Sequence, residues 1–380
     1  MLIKRLSWGI GFACVALLCS LLVMAVNRAR IAANKMQSTN NLKIIVLALH
    51  NFESAFKRLP NGCDPDAKHG WQITIFPFME ASSWYNELDQ GVGWEHPFNY
   101  YKFRLKIPSY QRPSEIALFS SEGYSLMHYL GNPSILYRGS QMKFSELNAG
   151  LSNIWFAGEI GSRFQPFGYP YNWRDLEWPL NAKDGGFGGW SDGAHFGMGD
   201  GAIRFVSSSI DRSVVDRLAQ TVAMPEPKQT SIPNRLFECG GTKFMRKTQK
   251  FENEEDRMTK GGSSSEVYFD LDKRAEVIVY RAGPGLKRLG IDLDTMVSRY
   301  SEARVVVYRP NLNATAAEKI SRCKNVEALK VGRVEDTEAA IQILQALSRL
   351  KFLSGMFDSD LFEQLKMALP ECEISSTGNR

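Results

Sequence analysis

Between Arg5 and Arg28 the chain runs for 22 residues, Leu6 to Asn27, without a formal charge. Its centre, Trp8 to Val26, reads WGIGFACVALLCSLLVMAV. A helix rises about 1.5 Å per residue, so this run is long enough to cross a hydrocarbon core of roughly 30 Å. Residues 1–27 therefore read as a transmembrane anchor, with the lipid bilayer as first partner. The competing reading is a cleaved signal peptide, with Lys4 and Arg5 as its basic start and Val23-Met24-Ala25 as a small-residue cleavage site. Flanking charge does not set the orientation: Lys4, Arg5 and the amino terminus face Arg28, Arg30 and Lys35. Export of a large C-terminal part behind one span is the simplest route. The expected address is the inner membrane, single-pass, with the bulk of the chain extracytoplasmic.

The helix is expected to continue beyond the membrane. There is no proline from Arg28 until Pro60. Leu42, Ile45, Leu49, Phe52, Phe56 and Leu59 follow at steps of three and four, one apolar stripe made for burial. Pro60-Asn61-Gly62 then ends the element. Two helices hinged near Ser38-Thr39-Asn40-Asn41, where helix propensity dips, are the alternative.

Beyond Pro60 the texture changes to short runs rich in aromatics, Gly, Pro, Asn and Ser. Gln72 to Phe76, Trp155 to Glu159 and Ala202 to Val206 read as strands. The expected fold class is α+β: one long helix packed on an antiparallel sheet with long loops, over residues 28–224. Seven tryptophans, Trp71, Trp84, Trp94, Trp155, Trp173, Trp178 and Trp190, are dense here. They read as buried anchors in a loop-rich fold, with an exposed sugar- or peptide-binding set as the alternative.

Ordered pieces of this head resemble a known family. Met36-Gln37-Ser38-Thr39-Asn40-Asn41-Leu42-Lys43, Leu47 to Phe52 and Leu59-Pro60-Asn61-Gly62 are similar to the start of a prepilin-like family abundant in planctomycete bacteria, domain of unknown function 1559. His69 to Gln72, Pro77 to Glu80, Trp84-Tyr85-Asn86, Tyr129 to Asn132, Gly150 to Asn153, Gly158-Glu159 and Gly199 to Val206 continue in the same order. The resemblance covers roughly residues 25 to 220 and implies a pilin-like head with no assigned biochemical activity. The chain departs from the pattern at several points. Gly11-Phe12 fits a prepilin peptidase site, but Ala16 stands where the family has Glu. Trp190 stands where a His precedes Asp200-Gly201 by ten positions, and His195 falls where Asn is common. Ser38 and Arg112 replace two cysteines that relatives carry. The chain is identified as a divergent member.

Residues 225–265 read as a flexible linker, proline-rich at first, then densely charged, then Gly261-Gly262-Ser263-Ser264-Ser265. Residues 266–380 repeat. Segments centred on Ile278, Val306, Leu329, Phe352 and Ile374 read as strands, with helical patterns such as Thr337 to Leu347 and Leu361 to Leu369 between them. A strand and a helix every 22 to 28 residues is the spacing of a leucine-rich-repeat-like α/β domain. A small doubly wound domain is the alternative.

Little in the sequence points to chemistry. The balance of 46 basic and 41 acidic residues gives +5, too weak and spread to imply nucleic acid. Six cysteines in 380 residues are not a disulfide scaffold. Cys14 and Cys19 lie in the span, and Cys323 and Cys372 read as small buried residues. A Cys63–Cys239 disulfide is a possible pairing of loops. His50, His69, His96, His128 and His195 have no metal-ligand spacing. Ser191 to His195 with Asp200 is the most catalytic-looking cluster, and a hydrolase using His195 and Asp200 is the least favoured alternative. A glycine-rich turn is the plainer reading, since no nucleophile elbow is present. Asp184, Asp192 and Asp200 could offer oxygens to calcium, without EF-hand spacing. Glu159 reads as a hydrogen-bonding or solvated carboxylate. No catalytic, cofactor or metal residues are assigned. The expected function is a membrane-anchored pilin-like structural or interaction protein of the bacterial envelope, with other envelope proteins or further copies as partners. The alternative is a binding module whose C-terminal domain recognises protein or glycan.

Overall fold

One helix organises the molecule. In the computed structural model, α1 runs unbroken from Leu2 to Phe56, as expected, through Ser38 to Asn41, where the alternative placed a hinge. The structure describes residues 2–376 except 67, 80–81, 121, 177–178, 182–185, 212, 215–248, 251–265, 270–274, 282–292 and 336, with side chains from Ala16 onward except at 82–83, 249–250, 266–269, 275–276, 339–340 and 343. Within the described part of the apolar run, Leu17, Leu18, Leu21, Leu22, Val23, Met24 and Val26 are all exposed. Higher up, Leu42, Ile45, Val46, Ala48 and Leu49 are sealed from solvent. The helix ends earlier than Pro60. Lys57 takes a left-handed φ of 57° and its N–H returns to the Glu53 carbonyl. Phe56, the fifth residue of the expected stripe, is 55% exposed, while Leu59 is buried beyond the helix end.

The buried face of α1 rests on a four-stranded antiparallel sheet in the order β2 (Tyr129–Gly131), β3 (Trp155–Glu159), β5 (Gly193–Met198), β6 (Ile203–Ser207). The approach is close enough that a Cβ on Gly197 would come within 2.4 Å of a Val46 methyl. Only glycine lets a helix come this near a strand. The far face of the sheet buries Trp155, Phe187 and Phe196. A two-stranded pair, β1 (Leu126–Met127) with β4 (Gln165–Pro166), lies apart from it.

The expected strand at Gln72 to Phe76 is instead a turn of helix, α2 (Trp71–Thr74), followed by a 3₁₀ turn at Phe76–Phe78 and a short α3 (Ser82–Asn86). The alternation was misleading because both sides of the segment are buried: Trp71, Gln72, Ile73, Ile75 and Phe76 are all inside. Gln72 is held by donating to the Phe167 and Tyr169 carbonyls at 2.7 and 2.8 Å. Trp71, Trp94, Trp155, Trp173 and Trp190 are buried and Trp84 is half-buried, as expected of anchors. Trp178 lies outside the described residues.

The C-terminal sheet has seven strands. Its order is β13 (Glu373–Ser376), β12 (Phe352–Met356), β11 (Ala328–Arg333), β10 (Val305–Tyr308), β9 (Ala275–Tyr280), β8 (Glu266–Phe269), β7 (Gln249–Lys250). β9 to β13 are parallel and follow chain order without reversal. A doubly wound sheet reverses direction at a switch point, so the observed order differs from that alternative. The last four helices are α4 (Leu293–Arg299), α5 (Ala314–Ser321), α6 (Thr337–Gln345) and α7 (Ser359–Ala368). Asn313 and Asp358 cap α5 and α7 by accepting backbone N–H groups at 2.9 and 2.8 Å. The antiparallel β7 and β8 were not foreseen. β7 falls inside the segment expected to be a linker, most of which lies outside the described residues.

This sheet is buried on both faces. Ile278, Val306, Leu329 and Leu353 pack under the helices. Val277, Val279, Val305, Val307 and Ala328 on the opposite face join the same core as the head.

Helix burial sets the first test. Leu49→Ala, at a fully buried position, is expected to cost about 2–5 kcal/mol. Leu47→Ala, two residues away and 57% exposed, is expected to change stability by no more than about 0.5 kcal/mol. Denaturant unfolding of the detergent-solubilised chain compares the two.

Candidate functional site

Two polar clusters stand out, one under α1 and one between the head and the C-terminal sheet. The first is centred on Glu159, at the end of β3. A charged residue at the end of an apolar strand has to find partners or remain neutral. Glu159 is fully buried and has four donors. Ser38 Oγ from α1 donates to Oε1 at 2.5 Å. Trp190 Nε1 donates to Oε2 at 2.8 Å, and the His195 backbone N–H does so at 2.5 Å. His195 Nδ1 lies 2.9 Å from the same oxygen, so that nitrogen carries the proton when the carboxylate accepts. Tyr129 hydroxyl, 2.8 Å from Ser38 Oγ, is positioned to donate to it, and Asn41 Nδ2 donates to Tyr129 at 3.3 Å. Burial pushes the Tyr129 phenol well above its ordinary range, so it remains a neutral donor. The network ties α1 to β2, β3 and β5.

The rim of this network is charged. Lys35 pairs with Asp192 at 2.9 Å and lies over the Phe205 ring at 4.7 Å. Hydrogen bonding by Lys35 holds the Asp192 carboxyl below its ordinary value. Arg112 lies over Trp190 at 5.7 Å and donates to Glu115 at 2.6 Å.

The structure separates residues that the sequence placed together. His195 does not pair with Asp200. Asp200 accepts the Ala202 N–H at 2.9 Å in its own turn and lies 3.7 Å from Arg204. Asp192 and Asp200 flank opposite ends of β5, roughly 25 Å apart along an extended strand, and so do not share an ion. Asp184 lies outside the described residues. Among the described residues, no group of three His, Cys, Asp or Glu side chains could hold a metal. Cys63 is buried with its thiol pushed up to about 12, chiefly by desolvation; Cys239 lies outside the described residues. His128 accepts the Arg112 N–H at 2.9 Å through Nδ1 and sits 2.8 Å from the Ala117 carbonyl through Nε2. Burial lowers its pKa to about 4, which suits a neutral structural ring.

The second cluster joins the two halves. Glu87 pairs with Lys102 within the head and with Arg281 of the C-terminal part at 2.6 Å. Its backbone carbonyl accepts from Arg309 at 3.1 Å. Asp89, 2% exposed, accepts from Lys330 Nζ at 2.9 Å and from Ser354 Oγ at 3.0 Å. His96 meets the Phe352 ring edge-on at 4.8 Å. The seam leaves no local mark in the sequence, since the residues it joins across the two halves lie more than 190 positions apart along the chain. The acidic and basic residues were each consistent with ordinary solvated surface.

The family comparison bears on the head alone. The family described as a protein of unknown function (DUF1559) matches residues 27–172. Residues 27–172 are similar to the DUF1559 family. The DUF1559 region thus spans the rear of α1 through β4 and includes Ser38, Tyr129 and Glu159. Trp190 and His195, which complete the Glu159 network, lie beyond it. No curated protein and no solved structure matches the chain. Where the resemblance places a histidine, Trp190 supplies an N–H to Glu159, and His195 supplies two more contacts from five residues on.

Two tests follow from these clusters. Glu159→Ala leaves several donors without an acceptor and is expected to cost about 3–5 kcal/mol. Glu159→Gln keeps one acceptor oxygen and is expected to cost about 1–2 kcal/mol. Chemical denaturation orders the two variants. At the seam, burial alone would raise the carboxyls of Glu87 and Asp89, but their cationic partners outweigh it and hold both below the ordinary value. Their contribution is therefore present above the ordinary carboxylate range and is lost as pH falls through the depressed values. Desolvation raises Glu95 to about 7. Its contribution is greatest below the ordinary carboxylate value and is lost as pH rises towards 7. The melting temperature is expected to peak between these limits, and Asp89→Asn is expected to weaken the acid-side fall alone.

Proposed function

We propose that the chain is a membrane-anchored, pilin-like structural or interaction protein of the bacterial cell envelope, without catalysis of its own. α1 carries this reading. It is the one helix among the described residues that is long and apolar enough to cross a membrane, and it lies near the N-terminus. The described part of its apolar front, from Leu17 to Val26, is exposed while its rear is built into the head core. A core helix of a soluble protein would bury its apolar run, and this helix leaves that run uncovered. In this reading the inner membrane holds the front of α1, and the head and C-terminal domain lie outside the cytoplasm. Bilayer lipid, other envelope proteins and further copies of the chain are the partners.

The Glu159 network supports a structural role for the head. Ser38 brings α1 to the carboxylate, Trp190 and His195 bring the segment around β5, and the His195 ring is spent on the same carboxylate. A hydrolase reading has less support, since Asp200 is turned to its own loop.

A second reading concerns the C-terminal domain, which we take to be leucine-rich-repeat-like and able to recognise protein. The ordered parallel strands and the cations on their head-facing side favour it. Such stacked units present extended surfaces along their strands.

Cell fractionation and mass spectrometry of the membrane-isolated chain test the first reading. The expected result is a full-length chain in the membrane fraction with its N-terminus near Met1. A start at Phe12 means that a prepilin peptidase accepts Gly11-Phe12 despite Ala16. A full-length chain found soluble in the cytoplasm overturns the reading.

A further inference from the structure

The seam contains a regular pattern. Tyr280 pairs with Tyr308 across β9 and β10, and Val307 pairs with Lys330 across β10 and β11. Side chains alternate along a strand, so Arg281 and Arg309 follow the head-facing valines of their strands. Lys330 follows head-facing Ala328 in the same way. Arg281 and Arg309 thus stand side by side just past the ends of β9 and β10, about 4.8 Å apart, and Lys330 stands one step back, level with Val307. Ser354, paired with Lys330 across β11 and β12, stands beside it at that second level.

Both levels are met by one short turn of the head. Glu87 meets Arg281 at 2.6 Å and offers its carbonyl to Arg309 at 3.1 Å. Two residues on, Asp89 takes Lys330 and Ser354 at 2.9 and 3.0 Å. Contacts made only to fasten two halves together do not require this chemistry. Taking both members of an ion pair out of water costs several kcal/mol, and apolar replacements of the same volume often hold as well. Paired charges instead select one register and one partner.

We propose that this face of the C-terminal sheet is a recognition surface for an acidic protein segment carrying two carboxylates two residues apart, and that the head's own 87–89 turn occupies it in the resting protein. The inference rests on the second reading above, that the C-terminal domain is a binding module. It adds which face binds, what chemistry it takes, and that the head must leave before a partner enters. The resting chain is closed against such partners by its own head.

The test uses the full chain in detergent and a fluorescent synthetic peptide of residues 84–100 as the competing acidic segment. Glu87→Gln with Asp89→Asn removes both charges with almost no change of volume. Hydrogen exchange of β9 to β12 reports whether the head has undocked. The double variant is expected to show faster exchange there and to bind the peptide at least about tenfold more tightly than wild type. Adding Lys330→Glu is expected to return binding to the level of a scrambled peptide, and added salt to weaken it. An undocked variant that ignores the peptide overturns the inference. So does peptide binding indifferent to Lys330→Glu, or a double variant whose sheet stays as protected as in wild type. If the double variant does not fold, the wild-type chain is treated with excess peptide and a zero-length carbodiimide. Coupling of the peptide's Asp89 carboxylate to Lys330 supports the proposal, and coupling of the chain's own Asp89 alone overturns it. The broader binding-module reading is judged separately by capture of an identified envelope partner on the full chain, which does not use the peptide.

Discussion

The close approach of α1 to the four-stranded sheet is the contact on which the rest of the molecule depends. Gly197 makes it possible by leaving room for Val46. Burial of Leu42, Ile45 and Leu49 drives it, since each large aliphatic side chain removed from water contributes about 1.5–3 kcal/mol. The helix is then fixed in rotation, with one face inside and Met36, Ile44 and Leu47 left outside. The Glu159 carboxylate fixes it in translation through Ser38. Because the same helix continues into the apolar run, the head's orientation relative to that run follows from this one packing arrangement.

The C-terminal part obeys a different balance. Its parallel strands are apolar on both sides, and parallel sheets are stable when both faces are covered. Helices cover one face and the head covers the other. The seam is therefore where two requirements meet: an apolar sheet must be covered, and the cover carries fully desolvated charge. Asp89 is nearly sealed from water, yet Lys330 and Ser354 satisfy it from the other half of the chain. Removing one partner from such a group costs far more than the pair contributes in net stability.

Much of the fold was legible because it is periodic. The apolar run, the stripe from Leu42 to Phe52, and the strand segments around Ile278, Val306, Leu329 and Phe352 each repeat at the period of their element. Legibility failed where burial was two-sided or partners were distant. Gln72 to Phe76 looked like a strand because every residue in it is inside, which erases the difference between periods 2 and 3.6. Phe56 fitted the stripe and is exposed because Lys57 turns the chain one residue later. Of the candidate site, His195 was singled out with the wrong carboxylate. The usable signal was Glu159 itself, a charged side chain in an otherwise apolar run, Trp155 to Ile160. Ser38 and Trp190 gave no sign of joining it, since neither residue type is unusual in its place.

Local sequence by itself determined the long helix, its apolar front, the antiparallel strands at Trp155 and Ile203, and the repeating strand-and-helix units of the C-terminal part. These depend on hydrophobic period and on where proline is missing, which are properties of neighbouring residues. Only the tertiary structure decided that Glu159 gathers Ser38, Trp190 and His195. It alone decided that Asp200 stays apart from His195, and that Glu87 and Asp89 reach Arg281 and Lys330. Those pairings arise from desolvation. A charge taken out of water must be met by whichever donor the fold brings within hydrogen-bond reach, and that donor can lie anywhere along the chain.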